Sequence, residues 1–137
     1  MALDGLNDHR HQVLIAQIIT KLNVRFKKNK TLKKFIATPE TVVKTNAIII
    51  PDVLVWNYDK DLHNEPVVAI EICRSSHVDS DITKMTDLMN SLDSLKECFV
   101  IDFERHISHR IFRKKNGTSS KALKKSKSER LKVDLLG

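Results

Sequence analysis

Residues Val67–Cys73 read Val-Val-Ala-Ile-Glu-Ile-Cys, six apolar side chains interrupted by a single carboxylate, Glu71. A short, β-branched apolar run of this kind is the pattern of a strand covered on both faces. That requirement alone calls for layers on either side of a sheet, and helices are the usual cover. A second run, Ala47–Asn57, also reads as a strand and also carries one acid, Asp52, directly after Pro51. Proline there is accommodated more easily at an edge or a bulge than in mid-sheet.

The remaining elements follow from periodicity. Asn7–Lys28 places Val13, Leu14, Ile18, Leu22 and Phe26 at helical spacing, with Asn7 or Asp8 as the cap. Lys33–Thr38 and Thr41–Thr45 are short and β-branched, split by Pro39, and Tyr58–Pro66 is a polar connection. A second helix is predicted over Asp81–Leu92, capped by Asp79 or Ser80, with Ile82, Met85, Leu88, Met89 and Leu92 on its apolar face. Glu97–Phe103 and His106–Arg113 read as a hairpin turning at Glu104-Arg105. The expected architecture is α/β, a mixed central sheet flanked by helices, over residues 1–113. Residues 114–137 are rich in Lys and Ser and read as a basic, flexible C-terminal tail with a short helix at Glu129–Leu136.

Charge is unevenly spread along the chain. Lys21–Lys34 holds seven basic residues and no acid; Glu40–Glu104 holds thirteen acids against five bases; Arg105–Lys132 holds eleven bases and only Glu129 in opposition. Basic flanks around an acidic centre suit a polyanionic partner that meets a cation-binding middle, and solvated lysine faces explain the flanks equally well. No apolar stretch approaches the length of a membrane span. The start, MALDGLNDHR, has no basic lead into an apolar segment, so no signal peptide is read, and two unframed cysteines agree with a cytoplasmic protein. Three glycines and no phosphate-cradling motif give no nucleotide loop.

Two carboxylates on neighbouring buried strands repel each other and lose hydration unless a cation lies between them. A hard divalent ion such as Mg²⁺ takes oxygen ligands, and the backbone carbonyl beside Glu71 offers a third. Taken singly, either acid reads as a turn cap or a strand-end residue. Cys73 and Cys98 lie in apolar strand patterns and read as packing, not as nucleophiles.

Taken in order, Pro51-Asp52, Glu71, Ser75-Ser76, Lys84 and the strand "ECFVID" ending at Asp102 resemble the PD-(D/E)xK nuclease superfamily, and within it the Uma2-like branch. The resemblance covers about residues 9–113 and implies a restriction-endonuclease-like fold. It implies Asp52 and Glu71 as metal ligands for Mg²⁺ or Mn²⁺, with Lys84 as the third catalytic residue. The superfamily lysine ordinarily stands two positions after the second acid, where this chain has Cys73; in the Uma2-like pattern it moves to the following helix, where Lys84 lies. Two further positions depart from the pattern: Leu88 stands where a tyrosine is common, and the first helix offers Asp8, His9, His11 and Gln12 in place of a glutamate ligand. His11 and Glu40 are supplementary candidates, a histidine there reading first as a surface residue.

The function implied is metal-dependent hydrolysis of DNA phosphodiester bonds. Lys21, Arg25 and Lys28 on the first helix and Arg110, Arg113 and Lys114 after the last strand are the candidate nucleic-acid-binding residues. A homodimer suits the cutting of two strands. A catalytically weakened or inactive nucleic-acid-binding or assembly module on the same fold is the alternative, and a DNA-binding tail on an unrelated domain is a third reading.

Overall fold

A computed structural model describes the backbone of residues 2–41, 43–44, 48–58 and 65–137, and the side chains of residues 9–41, 49–58 and 65–137. The first helix, α1 (Ala2–Lys28), buries Ile15, Leu22 and Phe26, with Ile18 and Ile19 packed beside them. Its inward stripe therefore runs through Ile15 instead of Val13, which is 42% exposed. The helix begins earlier than its predicted start, and the side chains of Asn7 and Asp8 fall outside the described residues. It ends at Asn29, whose Oδ1 accepts from the Thr31 backbone N–H and caps the short turn Lys30–Leu32.

Strands β1 (Phe35–Pro39), β2 (Val43–Lys44), β3 (Ile48–Ile49), β4 (Val53–Asn57) and β5 (Glu65–Cys73) follow. The single strand expected over Ala47–Asn57 is two: Pro51 and Asp52 break it, because proline gives the ladder no N–H. β2 and β3 pair with each other as a separate ribbon. The expected strand Thr41–Thr45 and the connection at 58–66 lie partly outside the described residues. Next come α2 (Val78–Ser91), which starts three residues before its predicted bound, β6 (Glu97–Asp102) and β7 (Ile107–Phe112). The chain closes with β8 (Leu123–Lys124), β9 (Lys127–Ser128) and β10 (Val133–Asp134).

The main sheet has the order β1-β4-β5-β6-β7-β8. β5 and β6 are parallel and all other pairs are antiparallel, so the sheet is mixed as expected. α2 connects the parallel pair, as such a crossover requires. Alternation along β5 sends Val68, Ile70 and Ile72 to one core with α1. It sends Ala69 and Cys73 to a second core with Met85, Leu88 and Met89 of α2. The two-faced burial read from Val67–Cys73 is what the strand shows.

The C-terminal segment corrects the reading of a flexible tail. β8 pairs with β7, and Leu131 and Leu135 are buried in the α1-side core. Glu97 anchors the segment from 31 residues away: its Oε1 accepts the Ser128 hydroxyl at 2.6 Å, and the Glu129 and Arg130 backbone N–H groups donate to its two oxygens. The lysines that made the stretch look disordered project outward from a strap in which Leu131 and Leu135 face in while Leu123 stays exposed.

Candidate active site

Asp52 occupies the bend that Pro51 forces between β3 and β4, beside the C-terminal half of β5. Its backbone N–H donates to Glu71 Oε1 at 2.8 Å, and the Ile72 N–H donates to Asp52 Oδ2 at 2.7 Å. The two acids are thus locked by each other's strand. Glu71 shares its face of β5 with Ala69 and Cys73, so it points toward α2. There Lys84 Nζ donates to Glu71 Oε2 at 3.0 Å. The three residues singled out from the sequence converge.

A fourth residue joins them from the other side of the sheet. His11 Nε2 lies 3.0 Å from Asp52 Oδ2 and 2.9 Å from the Ile72 carbonyl oxygen. The sequence offered a signal for it: His11 precedes Ile15, Ile18 and Leu22 at spacings of four, three and four, so it extends the buried stripe of α1. Next to it, Gln12 donates to Glu40 Oε1 at 2.7 Å, and the Glu40 N–H donates to the Asp52 carbonyl. Glu40, with φ of 41°, turns the chain beside the site and contributes its carboxylate to the rim instead of to the acid pair.

Electrostatics follow from burial. The Glu71 side chain is 6% exposed and that of Asp52 13%. Burial, then the Asp52 charge, push Glu71 from its ordinary 4.5 up to about 7, against the opposing pull of Lys84. Burial also raises Asp52, although the Ile72 N–H, His11 and Lys84 all work to lower it. The pair is short of positive charge. Oxygen donors from Asp52, Glu71 and the Ile72 carbonyl fit a hard divalent cation in chemistry and in charge. Among the described residues no three His, Cys, Asp or Glu side chains cluster as a metal site. A cation here would therefore rely on the backbone carbonyl and water as well as on side chains.

Cys73, in the usual lysine position, is buried, and burial and Asp81 raise its thiol far above the ordinary value, so it holds no charge at neutral pH. Cys98 is likewise buried and free. Asp102 closes the turn after β6: burial works to raise it, but the Ser75 hydroxyl and the Arg105 and Glu104 N–H groups lower it overall. Ser75 thereby ties the entry of α2 to the hairpin.

Most of the predicted nucleic-acid contacts are engaged elsewhere. Lys21 donates to the Asp134 and Gly137 carbonyls and Arg25 to those of Leu131 and Lys132, clasping the C-terminal strap. Arg110 is buried against Glu97 at 2.7 Å. Arg113 binds the Met89, Leu92 and Leu95 carbonyls and so closes the C-terminus of α2. Lys28 and Lys114 are exposed, but Lys28 lies about 25 Å along α1 from His11 at 1.5 Å per residue. The cations next to the site in sequence are Arg10, which stacks over the Phe103 ring, and Arg74.

No family model and no curated protein sequence matches the chain. Among solved structures, it is similar to a protein described as a putative nuclease belonging to DUF820, from Anabaena variabilis ATCC 29413. The TM-score is 0.61 at 12% identity, over 86% of this chain and 69% of that one. The fold is thus shared with that protein: an α/β, restriction-endonuclease-like mixed sheet between helices.

Proposed function

We propose that the chain is a divalent-cation-dependent nuclease that hydrolyses phosphodiester bonds, with DNA as the substrate. The observation that carries this reading is the convergence of Asp52, Glu71 and Lys84 at the end of the central strand pair. Asp52 and Glu71 would hold Mg²⁺ or Mn²⁺, which when bound supplies Lewis-acid polarisation of a phosphoryl oxygen and of water. Lys84 does the work that Cys73 cannot. Its ammonium group is held by Glu71 at 3.0 Å while the side chain as a whole stays 36% exposed, so an approaching phosphate can reach it. There it orients the attacking water and offsets the negative charge that grows on the phosphorus oxygens. The Ile72 N–H keeps Asp52 Oδ2 in place, and the Asp52 N–H does the same for Glu71, so the acids need no reorganisation when substrate arrives. A duplex cut on both strands takes two such sites, which favours a homodimer.

The test is cleavage of supercoiled plasmid in Mg²⁺ or Mn²⁺ by wild type, Asp52→Ala, Glu71→Ala and Lys84→Ala. Wild type is expected to cut, and each substitution to slow cleavage by about 100-fold or more. Cleavage that persists in both acid variants would reject the site. A wild type that binds DNA in a salt-sensitive way without cutting it would favour the non-catalytic module, for which the lysine-to-cysteine departure at Cys73 is the supporting observation.

A further inference from the structure

A cavity of about 370 Å³ opens between α1, the C-terminal ends of β5 and β6, and the C-terminal strap. Its floor is apolar, built by the buried side chains of Ile72, Ile101 and Leu135. One wall is the Phe103 ring, with the Arg10 guanidinium 5.0 Å from the ring centroid. Arg10, Gln17 and Lys21 stand at spacings of seven and four, so a single stripe of α1 forms the opposite wall. Lys21 closes the far end by donating to the Asp134 and Gly137 carbonyls. Among the described residues no acidic side chain lines the cavity, while Arg10, Lys21 and His106 do. Such a space suits a flat, apolar body joined to negative charge.

We propose that this cavity receives one unpaired nucleobase of the substrate, next to the phosphodiester bond that is cut. The inference rests on the nuclease reading and adds the substrate class to it: nucleic acid with a base already out of its stack, in preference to fully paired duplex. Two connections carry it. Ile72 belongs to both places, since its side chain lines the cavity, its carbonyl oxygen accepts from His11 Nε2 and its N–H donates to Asp52. Arg10 directly precedes His11, so the cation at the mouth lies one Cα step, about 3.8 Å, from a residue of the site. A strand whose phosphate meets Asp52 and Glu71 places its adjoining base at this opening. The base stacks on the Phe103–Arg10 pair, as any base can through its π-face, and Gln17 offers an amide to its edge. Extruding a base from a duplex costs pairing and stacking, least where the base is already unpaired, so the cavity selects for bulges and single strands.

The test is cleavage, in Mg²⁺ or Mn²⁺, of one DNA duplex in three forms: fully paired, with a single unpaired nucleotide, and with an abasic residue in place of that nucleotide. Wild type is expected to cut beside the unpaired nucleotide at least about tenfold faster than the paired duplex, the abasic form losing most of that gain. Gln17→Trp, at an exposed position of α1, plugs the cavity without touching the core, and Phe103→Leu removes the stacking wall. Each variant, checked for folding by thermal melting, is expected to bring the three rates within about threefold of one another. A separate readout needs no cleavage. 5-Iodouracil at the unpaired position, irradiated on the bound wild type without divalent ions, is expected to crosslink to the peptide carrying Phe103. Equal cutting of all three forms by wild type would overturn the inference and leave the nuclease reading standing. If no form is cut while the crosslink forms at Phe103, the nuclease reading falls and the cavity stands as the base-binding site of a non-catalytic module. A crosslink elsewhere, or no tighter binding of the form with the unpaired nucleotide than of the paired one, overturns the inference whatever the cleavage result.

Discussion

Glu71 binds its proton more tightly in the fold than in the unfolded chain, because burial and the neighbouring Asp52 both disfavour its charge. Between its ordinary 4.5 and about 7 the folded state holds more protons, so stability rises as pH falls through that window and declines as pH climbs. Glu71→Gln removes the titration while its carbonyl oxygen can still accept from the Asp52 N–H. The variant is expected to melt higher than wild type at pH 8, by roughly 5 °C, and to match it at pH 4. Calorimetric melting in the absence of divalent ions checks this, and an offset independent of pH would contradict it. Asp52 and Glu71 were legible as a pair because a carboxylate in an apolar strand is conspicuous. His11 was less so: one polar residue at the end of a helix stripe looks like the start of the solvent face until the strand behind it is known.

The C-terminal strap shows where sequence patterning stops informing. Leu131, Val133 and Leu135 alternate with polar and charged residues in a lysine-rich stretch, and the group that satisfies its backbone, Glu97, belongs to another strand. Nothing local signals that contact. β5 was legible for the opposite reason, since its environment is written in the seven residues Val67–Cys73. Leu131→Ala is expected to cost about 2–5 kcal/mol, as for a buried leucine, where a free tail would cost nothing. Denaturant unfolding measures it, and an unchanged midpoint would restore the tail. Arg113→Ala leaves the carbonyls of Met89, Leu92 and Leu95 without their shared donor. It is expected to destabilise the protein by about 1–3 kcal/mol, with DNA affinity at fixed salt little changed, which a binding titration on the folded variant would check.

Across the whole molecule, a mixed sheet with a helix on each face brings α1, the Pro51 bend, β5 and α2 to one place. No helix among the described residues is long and apolar enough to cross a membrane. The engagement of Lys21, Arg25, Arg110 and Arg113 within the fold shifts the expected nucleic-acid surface toward Arg10 and Arg74. Replacing both with Ala should weaken DNA binding and flatten its salt dependence by about 1–2 units of log–log slope, whereas Lys28→Ala should change neither; the reverse result would restore the surface read from the sequence. The buried acids are proposed to form a cation site. Anomalous diffraction from crystals grown with Mn²⁺ tests it most directly. A peak is expected within about 2.3 Å of Asp52 Oδ2 and the Ile72 carbonyl oxygen. A fully loaded crystal with no peak between Asp52 and Glu71, and the pair still bonded as it is without metal, would contradict it.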